Sequence, residues 1–222
     1  MDRELPGWIY GALSLPRLAP YLRAANGDSG VAMRLYWWNI EVSGAFYGPL
    51  HCLEVGMRNA LHERLKEHLG RAEWWAAAPL TAAGSRMVAD VVDKLRGRGA
   101  VHVSADDVVA GLSFGFWVAL LSRGAAYDRS FWVPVLHKAF PGYSGSRARL
   151  HEDLLTMVLL RNRIMHHEPV HHRDLAADHR KLYRILGYLS VELLLAAKEF
   201  DRVPEVLARR VSVCEGSHPP RF

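Results

Sequence analysis

Apolar residues recur at three- and four-residue steps along most of this chain, the period of α-helices that bury one face. The clearest case is Leu50, Leu53, Met57, Leu61 and Leu65, closed by Gly70. The spacing predicts helix over residues 31–69, in two pieces divided near 44–49, where Gly44, Gly48 and Pro49 fall. Met87, Val88, Val91, Val92 and Leu95 predict an amphipathic helix over 81–95. Ser104 with Asp107 three positions later has the form of a capping box opening a short helix over 108–112. An apolar, aromatic helix follows over 114–121, then a short one over 131–140 around Pro134. Two late helices are predicted over 147–166 and 176–200, the second the longest and most apolar of all. Trp74 and Trp75 lie in a connector that caps the core.

Breakers frame these elements. Pro6, Pro16, Pro20 and the Asn26-Gly27-Asp28-Ser29-Gly30 run make 1–30 an irregular segment, with room for a short helix over 15–23. Gly216, Pro219 and Pro220 make 211–222 a flexible tail. Strand patterning is confined to 100–103. The expectation is an all-α protein, a bundle of roughly six to eight helices with a single domain over 31–210.

Composition narrows the partners. With 222 residues, half of them hydrophobic and 23% charged, the chain buries a substantial core. Lys+Arg 28 against Asp+Glu 23 leaves a net charge of +5, which favours polyanions such as nucleic acid. Cys52 and Cys214 are far apart and form no disulfide framework, which fits a reducing, cytoplasmic setting. Met1-Asp2-Arg3-Glu4 followed by Pro6-Gly7 does not read as a signal peptide, and no apolar run suits a bilayer, so no membrane partner is expected. There is no Gly-rich phosphate loop, nucleophile elbow or Cys/His dyad.

Candidate chemistry gathers in Leu160-Arg161-Asn162-Arg163-Ile164-Met165-His166-His167-Glu168-Pro169. On a helix Asn162 lies beneath His166 and Arg163 beneath His167. Arg161 and His166 are five apart and converge only if the helix loosens before Pro169, or if a second copy completes the site across a two-fold axis. In such a pocket His166 moves protons, Arg161 holds phosphate, and Asn162 orients the imidazole or binds a phosphate oxygen. The nucleophile is then an RNA 2′-hydroxyl. An ordinary helix end is the competing reading, since basic residues and histidines there complement the helix dipole. A metal site among His166, His167, His171, His172 and Glu168 is disfavoured. Only His167 and His171 are four apart, with Pro169 between them, and no cofactor is implied. His171 and His172 read as solvated or as part of an RNA surface. Arg147, Arg149, Arg173, Arg180 and Arg184 form either a phosphate-binding rim or a solvated face.

The 160–169 stretch resembles the signature of abortive-infection (Abi-like) proteins of the HEPN superfamily: an Arg, a polar residue, and a His after four intervening positions. Leu53-Glu54-Val55-Gly56-Met57-Arg58-Asn59-Ala60-Leu61 resembles the family's early helix, and Leu112-Ser113-Phe114-Gly115 its central aromatic block. The three blocks stand in family order across about residues 36–190. The resemblance implies a HEPN-like helical core, a homodimer with the motif at its interface, and metal-independent RNA cleavage. The expected ends are a 2′,3′-cyclic phosphate and a 5′-hydroxyl. The implied role is a toxin-type effector in phage defence, with a small non-coding RNA or an antitoxin as a further partner. Arg161 and His166 are then catalytic with Asn162 in support. His167, Glu168, Arg163, Glu54, Arg58 and Asn59 are supporting or RNA-binding residues. Glu54 and Arg58, four apart, suit an ion pair. Arg58 to His62 imitates the motif with one residue too few between them and is not read as a second site. The alternative function is a non-catalytic RNA- or partner-binding HEPN module.

Overall fold

A computed structural model describes residues 6–222. These residues are all-α, with no strand among them and eight helices of seven or more residues. In chain order they form α1 (Gly7–Leu13), α2 (Leu15–Ala24), α3 (Ser29–Leu69), α4 (Ala82–Gly97), α5 (Ala105–Gly111), α6 (Phe114–Ala119), α7 (Arg147–Met165), α8 (Leu175–Leu189), α9 (Val191–Glu199), α10 (Val203–Ala208) and α11 (Arg210–Glu215). Short 3-10 turns at Trp74–Ala76, Gly124–Ala126 and Leu136–Ala139 and a π turn at Asp128–Trp132 fill the connections. No described helix is long and apolar enough to cross a membrane.

Several boundaries differ from the pattern-based expectation. Residues 1–5 of the segment expected to be irregular lie outside the described residues; the rest is mostly helix. Pro16 occupies the first turn of α2, where its missing N–H has no partner to lose, and Leu18 and Tyr21 are buried. Asn26 and Gly27 take positive φ in the turn that follows, and the Asp28 carboxylate accepts the Val31 N–H at 2.8 Å to start α3.

Helix α3 is not divided near Pro49. It runs 41 residues as one helix, because Leu35, Trp38, Val42, Phe46, Leu50, Leu53, Met57, Leu61 and Leu65 form one buried stripe through the proline. Losing one helical bond costs about 3 kcal/mol, whereas each large apolar side chain contributes about 1.5–3 kcal/mol on burial. The helix expected over 176–200 does divide. Ser190 accepts the Leu193 N–H at 3.1 Å through its hydroxyl and so starts α9. At the C-terminus α11 extends helix to Glu215, with Val213 buried, the Arg34 guanidinium on the Cys214 carbonyl at 2.7 Å, and Gly216 closing it at φ 84°. The 100–103 stretch is not a strand, and residues 131–140 form π and 3-10 turns. The Ser104–Asp107 capping box is present with both reciprocal bonds.

The described residues group into two compact units. The first takes the described part of Met1–Leu50 with Leu160–Arg180 and Ala197–Phe222; the second takes His51–Leu159 and Lys181–Ala196. In the first, Trp38 is buried, its indole N–H donates to the Val206 carbonyl at 3.0 Å, and the Arg210 guanidinium covers its ring at 4.9 Å. The buried Glu41 carboxylate pairs with Arg209. In the second, Trp74, Phe116 and Trp117 cluster, and the Trp74 indole donates to His62 Nδ1 at 3.1 Å.

Candidate active site at the end of α7

Helix α7 stays regular into the motif and then stops on a backbone-defined turn. The His166 N–H donates to the Asn162 carbonyl at 2.9 Å, as an unbroken helix requires. The His167 N–H then reaches Ile164 O at 3.0 Å and the Glu168 N–H reaches Arg163 O at 2.8 Å. This bond pair is the Schellman closure, with His167 in the left-handed position, φ 57°, that glycine usually takes. The helix therefore does not loosen before Pro169. It sets Asn162 and His166 on one face. Positions five apart, such as Arg161 and His166, leave the axis roughly 140° from each other.

The motif side chains divide by environment. Asn162, His166, His167 and Glu168 are exposed, and Arg161 is half-buried. The Arg161 guanidinium lies 3.5 Å from Asn162 Oδ1. Arg163 reaches the Pro169 carbonyl at 3.3 Å and the Glu168 carboxylate at 3.5 Å, so this pair braces the turn.

Two residues without any evident motif hold the turn in place. Arg17 of α2 donates to the His167 carbonyl. Asn39 of α3, 4% exposed, accepts the Val170 N–H at 2.8 Å and the His171 N–H at 3.1 Å on one oxygen. A lone amide within the apolar run around Trp38 is the sequence signal that would have found Asn39. His171 is buried, not solvated, with its ring 4.9 Å from Tyr21. Burial, with the neighbouring His172 and Arg210 charges, pushes its pKa down to about 4, so it is a neutral packing group. His172 is exposed. Among the described residues no three of His, Cys, Asp and Glu gather as a metal-binding group.

Beside the turn, within the first unit, lies an open cavity of about 450 Å³ whose walls include Tyr21, Tyr36, Asn39, Tyr47, Met165 and His167. None of its lining side chains is Asp, Glu, Lys or Arg.

Glu54, Arg58 and Asn59 belong to the second unit, whereas Arg161 to Glu168 belong to the first. Arg58 Nε donates to Asn59 Oδ1 at 3.3 Å, and both line a hollow of about 540 Å³ with His62, Glu63 and Asp106. His62 is buried, its pKa lowered by that burial, and it accepts the Trp74 indole N–H. It is a core polar group, unlike the exposed His166. Of the expected basic rim, Arg173 is bound to Asp178 at 2.8 Å, Arg184 to Asp153 at 2.9 Å, and Arg147 to the Leu121 carbonyl. Arg149 and Arg180 remain as exposed cations. Comparison with models of known protein families, with curated proteins and with solved structures found no match.

Proposed function

We propose that this protein is a metal-independent endoribonuclease of the HEPN type, with His166 and Arg161 as its catalytic residues and Asn162 in support. One observation carries the reading: His166 stands exposed at a capped helix end, one turn beyond Asn162 on the same face and five positions beyond Arg161. An exposed imidazole is the side chain suited to proton transfer near neutral pH, and a guanidinium is suited to a phosphate gaining negative charge. In the reaction the 2′-hydroxyl loses its proton to a base and its oxygen bonds to phosphorus. The P–O5′ bond breaks, and the departing 5′-oxygen takes a proton. The products are a 2′,3′-cyclic phosphate and a 5′-hydroxyl.

The divergence of Arg161 from His166 within one chain favours a homodimer. Leu155 and Leu159, 41% and 58% exposed, precede Asn162 and His166 at four-, three- and four-residue steps along α7. An apolar stripe on the motif's own helix face suits pairing with a second copy, so that Arg161 of one chain meets His166 of the other. The biological role in this reading is a cytoplasmic toxin-type effector of abortive infection, restrained by a small RNA or an antitoxin.

The same divergence favours a second reading, a non-catalytic RNA- or partner-binding module. Incubating wild type, Arg161→Ala and His166→Ala with a mixed RNA pool in EDTA, with product ends mapped, separates the two. The expected result is cyclic-phosphate ends from wild type alone, with both variants folded. RNA bound by all three proteins and cleaved by none would overturn the enzymatic reading.

A further inference from the structure

Resting on the ribonuclease reading, we infer that the cavity beside the α7 turn is a subsite for one unpaired nucleobase.

Size and chemistry agree. About 450 Å³ lies within the range of small-molecule sites, roughly 300–1,000 Å³, and is ample for one heterocycle. Three tyrosines line the cavity: Tyr21 and Tyr36 are buried, and Tyr47 is 53% exposed. Tyr47 offers an exposed aromatic face, and such a face stacks on any base. The absence of charged side chains from the lining suits an uncharged ring and leaves phosphate outside.

Position supplies the link to chemistry. Met165 and His167 both line the cavity, and they are the immediate neighbours of His166. A base seated there holds its own sugar and phosphate at the motif. His167 keeps a non-glycine side chain in the left-handed conformation at a position where glycine would be unstrained. Strain of that kind is retained where the residue has work to do, and His167 is among the residues that line the cavity.

Gly44 also lines the cavity, and a Cβ added to it meets no atom within 4 Å. Gly44→Leu therefore plugs the cavity from within α3 and raises helix propensity rather than threatening the fold. Tyr47→Ala, at an exposed position, removes the stacking ring independently. The experiment titrates short single-stranded RNAs of each base, and the four free nucleosides, into His166→Ala protein with and without each change, while cleavage is followed in the otherwise wild-type background.

Weakening of RNA binding by about tenfold or more in both variants supports the subsite. Nucleosides that fail to compete then place the base on an RNA strand. Nucleosides that bind, and are lost on Gly44→Leu, place a free nucleoside or nucleotide there. RNA and nucleoside binding equal in all proteins, or absent from all, overturns the subsite, and cleavage that persists leaves the ribonuclease reading standing. Absent cleavage with Gly44→Leu-sensitive nucleoside binding does the reverse.

Discussion

Replacing Asn39 by leucine tests what holds the motif turn against the first unit. The side chains are similar in size, so the change reads hydrogen bonding rather than a void. It orphans two buried backbone donors, the N–H groups of Val170 and His171, now 2.8 and 3.1 Å from the amide oxygen. An unsatisfied buried donor costs about 1–3 kcal/mol; because these two share one acceptor oxygen, about 1–2 kcal/mol each is taken, and the pair predicts a loss of about 2–4 kcal/mol. For a chain of this size each kcal/mol moves Tm by about 2–4 °C, which makes the expected fall roughly 5–15 °C in a thermal melt. Amide hydrogen exchange supplies the local readout: Val170 and His171 should exchange faster than their neighbours in α8. A Tm within about 1 °C of wild type, with both amides still protected, would refute the reasoning. It would mean those donors are satisfied elsewhere.

Arg209→Met should cost about 3–5 kcal/mol in urea unfolding, because it leaves the buried Glu41 carboxylate without its cation; an unchanged midpoint would show that Glu41 is neutral or otherwise paired. His167→Gly should stabilise by about 1 kcal/mol at constant m, since it relieves a left-handed non-glycine residue; destabilisation would show that the imidazole contributes more than the strain costs. Stability should fall as pH drops from about 6.5 toward 4, because the unfolded chain takes up a proton that buried His171 refuses in the folded state. The slope should be shallower in His171→Phe, and an identical acid limb would remove His171 as its source. Its partial companions in that slope are His62, His151 and His172, all also lowered by burial.

Local signals were read correctly from the sequence where local energetics decide. The Ser104–Asp107 box and the Leu50–Leu65 periodicity need only near neighbours, and both appear in the structure. The break expected near Pro49 and the unbroken helix expected over 176–200 both differ from the structure for one physical reason. A breaker's effect depends on what the tertiary structure buries beyond it: the apolar stripe continues through Pro49, whereas Ser190 satisfies the start of a new helix. The motif on α7 was legible as residues in a row. Its supports were not, because Arg17 and Asn39 reach it across 150 and 131 positions of sequence, beyond any periodicity. His171 was misplaced because adjacent histidines give no sign of which one faces Tyr21.

The grip of Arg17 on His167 is made to a main-chain carbonyl, so it is indifferent to which side chain position 167 carries. Substitutions at 167 keep that acceptor, and those that tolerate the left-handed backbone, such as glycine and asparagine, do so with the least strain. The converse holds for truncation. A shortened version starting at α3 would discard Arg17 and Tyr21 together, and with them both a clamp on the turn and a wall of the cavity. Such a trimmed protein is a poor vehicle for testing activity, however well it expresses.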